Sequence, residues 1–557
     1  MSEKPKLSDQ SQTVSRRTLL ATGAGLAAAS MQKVLAANGD GSGMKWPVAA
    51  AASLQDVPGA PFDTFRDYIA ALEAHGLVFR VPRIDQDAYE MTALTYRLID
   101  EFGWYEAPCI LAEEVKIDGQ WFKGPLLTNH QGHWYAEAIV FGVDVVPDNG
   151  VATYRNAMRH LEGLLENGAY PTIEPNEVSR DKALCKQVVL RGDDIDLTKF
   201  AYIQSNPADS RRYINTGSVF TDDPVIGKNF GTYRCELRGP RLIGVNSEPN
   251  QTAWRTLNAA RDRGEKIAKV SIAVGQDPII WVISGSRIVN RLSKVKVDEL
   301  AIAGGMRGKA VDVVRSETNG HMVPANAEMI IEGEIPLDER LPEGPFGEMY
   351  QYLGARRDEN FFMHVTAVTH RKDPWILNMF TGVTRGYVTG PTAVLFNTGL
   401  KRLVPGLIEL HSPVDTTGVT YIRIKKTKPG EGLEAGKKLA AIIPILKIVV
   451  VVDDDIDVLD GGQVNMAIGS RWQPASATYI FDFDEARGMP LDPSTIKRGR
   501  SSKIVIDATR QWPEEGGPEN YAQLNRTLLE ELAPDSFTRV DEKWGDLVKR
   551  RTHTFSG

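Results

Sequence analysis

From about Lys186 the chain changes texture. Short β-type runs follow one another, KQVVLRG, SVFTDD, TYRCELR, RLIGV, then AVDVVRS, AEMIIEGEI and FFMHVTAVTH, separated by Gly, Pro, Asn and Asp. Many short runs with turn residues between them predict a barrel or sandwich. A helix is expected among them from Trp254 to Lys266. The flanking regions read differently. Upstream, Phe65, Tyr68, Ile69 and Leu72 share one helical face behind an Asp63 cap. Strands in LVFRV, CILAEEV and WFKGPLLTN and a helix over 90–102 follow. Downstream, KIVVVVDDDIDVLD and SSKIVIDAT read as buried strands with a helix between them, and the tail from Tyr521 to Arg551 is helix-prone. A chain of 557 residues exceeds one core, so the expected fold is multidomain, α+β and α/β. Its regions are 1–56, a leader and linker, 57–175, an N-terminal α/β domain, 176–372, the β-rich domain, and 373–557, a C-terminal α/β domain with a terminal helix.

The leader carries Ser15-Arg16-Arg17-Thr18-Leu19-Leu20, then small and apolar residues from Ala21 to Ser30, then Val34-Leu35-Ala36 as a cleavage site. It resembles a twin-arginine export signal, which implies export of a folded protein to the periplasm by that machinery. A terminal tail with a chance arginine pair is the alternative. A hydrophobic fraction of 42% and a net charge of -7 describe a globular chain without the basic surface that nucleic acid or anionic lipid requires. Small molecules are the expected partners. No apolar run approaches the roughly 20 residues that span a bilayer. Cys109, Cys185 and Cys235 are odd in number and far apart, which excludes a disulfide scaffold and leaves them as packing residues.

Two segments carry chemistry. In Glu343-Gly344-Pro345-Phe346-Gly347-Glu348, a bend at Gly-Pro can turn two carboxylates into one cleft, where mutual repulsion would keep one of them protonated. A solvated turn is the bland alternative. In Asn229-Phe230-Gly231-Thr232-Tyr233-Arg234, preceded by Asp209 and Tyr213, strict strand alternation separates Asn229 from Arg234 unless a bulge at Gly231 intervenes. An arginine so placed can clamp a carboxylate with two hydrogen bonds. No HExxH, GxSxG or GxxxxGK[ST] motif occurs. His130 and His133 lie close in sequence but lack a third ligand, so a zinc hydrolase is not expected.

Collinear with these, FRDYIAALEAHGLVFRV, RGDDIDLTKF, DSRRYINTGSVFTDDPVIGKNFGTYR, DELAIAGGMRGKAVDVVRSETNGHMVPANAEMIIEGEI, EGPFGEMYQYLG, VVDDDIDVLD and KIVIDAT together resemble the UbiD family of decarboxylases. That resemblance implies a central split β-barrel of the flavin-reductase type that binds prenylated FMN, and a C-terminal domain that forms a homodimer or larger homo-oligomer. It implies an Arg234, Glu343 and Glu348 catalytic set, with Arg234 holding the substrate carboxylate and Glu348 protonating the carbon that carbon dioxide leaves. Cofactor contacts are implied for Asn229, Thr232, Tyr233, Arg234, Asn250, Gln251 and Glu299. Asn229, Gln251 and Glu299 are the implied ligands of a divalent manganese or magnesium ion, with a monovalent cation such as potassium nearby. Two departures stand out. Gln251 or Asn250 occupies the place of the family's histidine ligand. ISGSRIVNRLSKVK lacks the family's small-residue and proline pattern, leaving Ser286, Arg287, Arg291 or Lys294 to serve the phosphate. The expected activity is non-oxidative, reversible decarboxylation of an aromatic, phenolic or α,β-unsaturated acid. Phe380 and Tyr387 are candidates for selecting the substrate. A non-catalytic relative that binds flavin or acid, and a flavin-dependent oxidoreductase, are the alternatives.

Overall fold

A computed structural model of the protein describes residues 57–249, 251–286, 298–385, 390–404, 406–443, 445–485, 493–495 and 501–549. The leader, Asn250, Arg287, Arg291, Lys294 and Tyr387 lie outside the described residues.

Helix α1 (Phe65–Ala74) buries Phe65, Tyr68, Ile69 and Leu72, as their spacing predicts. Its cap is Thr64, not Asp63. The Thr64 side chain accepts from the Asp67 amide at 3.2 Å while the Asp67 carboxylate accepts from the Thr64 amide at 3.1 Å, a reciprocal capping box. Asp63 is drawn away to Lys309 at 2.7 Å and Arg307 at 2.9 Å. Strand β1 (Val78–Asp85), helix α2 (Glu90–Phe102) and strands β2 (Cys109–Ile117) and β3 (Gln120–Thr128) follow, with β1 parallel to β2 and β2 antiparallel to β3. Helices α3 (Ala136–Phe141) and α4 (Gly150–Gly163) complete this region. The short strand Ile376–Leu377, in the stretch assigned to the third region, adds in parallel to β3 instead.

The central strands are β4 (Val188–Arg191), β5 (Tyr213–Ile214), β6 (Ser218–Asp223), β7 (Gly227–Thr232), β8 (Cys235–Gly239), β9 (Leu242–Val245), β10 (Ile267–Val274), β11 (Met329–Pro336), β12 (Leu341–Glu343), β13 (Phe346–Gly347), β14 (Leu353–Gly354) and β15 (Arg357–His370). Pairing runs β5-β8-β9-β15-β11-β10-β6-β7. Because β5 leads into β6 and β7 into β8, each across a short break, the ends of this path are one bent hairpin and the circuit closes. Closure removes free edges. Val219, Leu237, Ile243, Ile272, Ile331 and Val365 fill the interior, each worth roughly 1.5–3 kcal/mol when fully buried. Helices α5 (Thr252–Asp262), α6 (Pro278–Gly285) and α7 (Glu299–Arg307) belong to the same region.

In the last region, helix α8 (Gly390–Leu400) precedes β16 (Leu407–His411), β17 (Val419–Ile424), α9 (Glu431–Ile442), β18 (Ile448–Asp453), α10 (Gly461–Arg471), β19 (Thr478–Phe481) and β20 (Lys503–Asp507), in the sheet order β16-β17-β18-β20-β19. Strand β18 is apolar from Ile448 to Val452 because both faces are covered: Val449 and Val451 enter one core, Val450 and Val452 another. The carboxylates that end it are structural. Asp453 and Asp455 bind Arg471, and Asp457 binds Arg155. Helices α11 (Asn525–Leu532) and α12 (Ser536–Lys549) end the described chain. All three cysteines are buried and free. Among the described residues no helix is long and apolar enough to cross a membrane.

Candidate active site

Arg234 lies in the break between β7 and β8, so neither strand face dictates its direction. The strand ends at Thr232 rather than bulging at Gly231. There, a Cβ would strike the Tyr233 ring, so glycine lets that ring fold back. Arg234 Nε and Nη2 donate to the two oxygens of Glu343 at 2.9 and 3.0 Å, and Nη1 donates to Glu348 at 2.7 Å. One guanidinium therefore carries both carboxylates, although they sit 109 and 114 residues away in sequence. The two acids meet the arginine's edges rather than each other, which differs from the repulsive pair expected from sequence. Burial disfavours the charge on Arg234, but Glu348 and Glu343 more than offset this and hold it above its ordinary range. The Phe346 ring lies 5.1 Å from the guanidinium carbon, and the Asn246 amide lies beside the guanidinium, where turning it over would bring its oxygen within 3.1 Å of Nη2.

The turn holds the acids in different environments. Glu343 ends β12 at 1% exposure, with Tyr213 donating to it at 3.0 Å, whereas the Glu348 side chain keeps 22% exposure. β13 pairs with β14 so closely that a Cβ on Gly354 would meet the Glu348 side chain, and one on Gly382 would meet the Glu348 carbonyl. Asp209 braces the turn by accepting from the Gly347 amide at 3.1 Å, and burial pushes its carboxyl up to about 6. A cleft opens beside this turn, lined by Thr92, Tyr96, Asp209, Phe346, Gly347 and Phe380.

Asn229 and Glu299 meet in a second buried cluster. The Asn229 amide nitrogen donates to both Glu299 oxygens at 2.8 Å, and the Phe230 amide donates at 2.7 Å. Burial raises the Glu299 carboxyl to about 8, and Asn229 Oδ1 is buried with no partner among the described residues. A carboxylate and an orphaned amide oxygen side by side lack a positive charge. A hard, oxygen-seeking divalent ion fits them. Gln251 is occupied elsewhere, its side-chain oxygen accepting from the Glu248 amide at 2.7 Å. Among the described residues no group of three or more His, Cys, Asp and Glu is placed to hold a metal. Thr232 bonds Ser284 at 2.8 Å, and the Tyr233 hydroxyl accepts from the Ala253 amide at 3.3 Å. Ser247, next to Asn246, and Ser286, two residues beyond Ser284, bury hydroxyls that have no partner among the described residues, which suits an anionic cofactor phosphate.

Comparison with known proteins places the chain in a lineage. A family model described as the 3-octaprenyl-4-hydroxybenzoate carboxy-lyase Rift-related domain matches residues 176–384, and the C-terminal domain model of that carboxy-lyase matches 387–508. The chain belongs to the UbiD family. Among UbiD relatives, the phenolic acid decarboxylase of Sedimentibacter hydroxybenzoicus is 27% identical over 510 residues, covering 88% of this chain and 99% of the relative. The vanillic acid decarboxylase of the same organism, in open form, superposes with a TM-score of 0.72 at 25% identity, covering 88% of this chain and 99% of that one. The UbiD-class enzyme HmfF from Pelotomaculum thermopropionicum, in complex with FMN, gives 0.70 at 26% identity, covering 83% and 97%. An evolved dimeric form of HmfF, in complex with prFMN, gives 0.67 at 25%, covering 84% and 98%. UbiD membership makes the chain a carboxy-lyase with a multidomain α+β fold.

Sequence reasoning overlooked the residues behind the arginine. Glu236, Ser210 and Asn246 carry no motif, and only the fold brings them to Tyr213, Glu343 and Arg234.

Proposed function

We propose that the protein removes carbon dioxide, reversibly and without net oxidation, from an aromatic, phenolic or α,β-unsaturated carboxylic acid, using prenylated FMN and a divalent ion held by Asn229 and Glu299. The observation that carries this is the Arg234 guanidinium bonded through Nε and Nη2 to Glu343 and through Nη1 to Glu348. An arginine so loaded can exchange one carboxylate partner for that of a substrate, keeping bidentate geometry throughout. Arg234 orients the acid, and Glu348, the more accessible of the two acids, delivers the proton to the carbon that loses carbon dioxide. Glu343, buried and anchored by Tyr213, keeps Arg234 in place. When bound, prenylated flavin supplies the electron sink for the carbanion-like charge. Ser247 and Ser286 would hold its phosphate, and the closed strand circuit is read as the split barrel of flavin reductases.

Purified from a host that makes prenylated flavin, the protein should release carbon dioxide from members of a panel of phenolic and cinnamic acids. Absence of turnover and of bound flavin would overturn the reading. Manganese should raise the melting temperature, and Glu299→Gln should abolish that rise. Thermal stabilisation by acids that survives Glu343→Gln, without product, would instead support a binding protein. Flavin reduction by a nicotinamide donor would support an oxidoreductase. Leu532 and Trp544, 80% and 51% exposed on the terminal helices, suit assembly with a second copy. Export through the twin-arginine route completes the proposal. Replacing Arg16 and Arg17 by lysine should leave the protein in the cytoplasmic fraction.

A further inference from the structure

Glu348 sits at the head of the loop 348–352 that joins β13 to β14. The loop is tightly wound: the Gln351 amide donates to the Glu348 carbonyl at 3.0 Å and the Glu348 amide donates to the Tyr352 carbonyl at 2.9 Å. Arg234, from the central strands, holds the Glu348 carboxylate. The three residues after it are bonded to the third region. Thr417 Oγ1 donates to the Met349 carbonyl at 3.1 Å, the Tyr350 hydroxyl to the Ile445 carbonyl at 3.2 Å, and Gln351 Nε2 to the Asp415 carbonyl at 2.7 Å. Asp415 and Thr417 lie between β16 and β17, and Ile445 lies between α9 and β18.

Two backbone features favour these bonds. Gln351 stands at φ +67°, in the left-handed region that a Cβ disfavours. Asp118, Asn129, Asp148 and Asn167 share that region, where short polar side chains that bond locally are tolerated. A glutamine has no such local gain, but from this conformation its amide reaches Asp415. Opposite, Gly418 at φ +95° makes room for the Tyr350 ring, since a Cβ there would lie 2.9 Å from the hydroxyl and 3.0 Å from Cε1. Gly382 closes the other side of the loop, where an added Cβ would lie 2.4 Å from the Glu348 carbonyl and 3.0 Å from Gln351 Cα. One hydrogen bond in reach of water holds little, because water competes for both partners. Three on successive residues, all to one region, fix the loop as a unit.

We propose that Tyr350, Gln351 and Thr417 are positioning residues that fasten the Glu348 loop to the third region, so that this region sets where the acid stands. Their part in catalysis rests on the decarboxylase reading, in which Glu348 delivers the proton. A proton donor displaced by about 1 Å loses on the order of 10² in rate, so a loop that drifts costs turnover. Substrate binding is spared, because Glu343 anchors Arg234 separately.

Amide hydrogen exchange, followed by mass spectrometry on the cofactor-free protein, tests the fastening. In the Tyr350→Phe/Gln351→Gly double variant, exchange in a peptide spanning 346–354 should rise about tenfold while α1 stays unchanged. Glycine adopts the backbone of position 351 freely, so the variant keeps its fold. Thr417→Val, altered only in the third region, should raise exchange in the same peptide. Wild-type exchange in both variants would overturn the proposal. On the enzyme loaded with prenylated flavin, the double variant should lower kcat about tenfold and hold KM within about twofold. Added to Glu348→Gln it should cost nothing further, because both changes act through one carboxyl. Losses that multiply would overturn the positioning role. A wild-type enzyme that turns nothing over would count against the decarboxylase reading, while the exchange result would still decide the fastening.

Discussion

Two arginine–carboxylate assemblies in this molecule look alike on paper and differ in purpose. Arg385 pairs with Glu137 where both side chains are essentially sealed, at 1% and 0% exposure, and Tyr105, Trp134 and Tyr154 surround the guanidinium at 5.6 to 5.9 Å. Arg234 has two carboxylates, one still 22% exposed, and a cleft beside its turn. The sealed pair is charge-matched, so it can only hold parts together. The other has a surplus acid beside a cleft, which suits the reacting role proposed for it.

That contrast is sharpest in stability. Arg385→Ala strands the Glu137 carboxylate in the interior and should cost roughly 3–5 kcal/mol in urea unfolding. Should the loss stay below about 1 kcal/mol, Glu137 is not confined as the structure has it. Arg234→Ala should behave in the opposite way, cutting turnover by about 10²–10³ at a smaller stability cost, because Glu343 keeps its Tyr213 donor and Glu348 reaches solvent. Steady-state kinetics alongside the same unfolding curve separates the two arginines. Replacing only the proposed proton donor, Glu348→Gln should lower kcat by about 10²-fold and leave KM nearly unchanged. A change confined to KM would assign the proton to another group.

The smallest expected effect concerns Asp209, which ties the turn to its neighbouring loop. Its carboxyl titrates at about 6 in the folded protein against an ordinary 3.8. The folded state therefore binds the proton more tightly than the unfolded state. Its contribution is most favourable below pH 3.8 and is lost as pH rises through about 6. Asp209→Asn should flatten this fall, a change on the order of 1 kcal/mol across the window. Parallel stability curves for the two proteins would show that Asp209 does not titrate there.

Local pattern and long-range packing were unequally legible in the sequence. The periodicity of α1 and the run Glu90–Phe102 state their own burial, because the signal lies within a few turns of one helix. Asp63 misleads for the same reason: Lys309 and Arg307, which claim it, are 246 and 244 residues away. Strand alternation does not reach Arg234 because the strand ends two residues before it, at Thr232, and nothing in the residues marks that end. Gly304 and Gly305, unremarkable as a pair, let α7 approach the backbone of Pro171 and Ile173 where any side chain would collide. The trio Arg234, Glu343 and Glu348 was named through resemblance, whereas Glu137 and Arg385, 248 residues apart, had no motif to announce them.

The strand Ile376–Leu377 acts as a stitch. After leaving the central strands, the polypeptide is sewn to Leu126 and Leu127 before it enters the third region, and Asn378 extends the seam by donating to the Leu127 carbonyl at 2.8 Å. Trimming the gene to the spans that carry the family signature would unpick that seam. Phe380 and Thr381, which line the cleft beside Phe346, would lose their mooring, so a shortened protein would keep its central strands and lose that wall of the cleft.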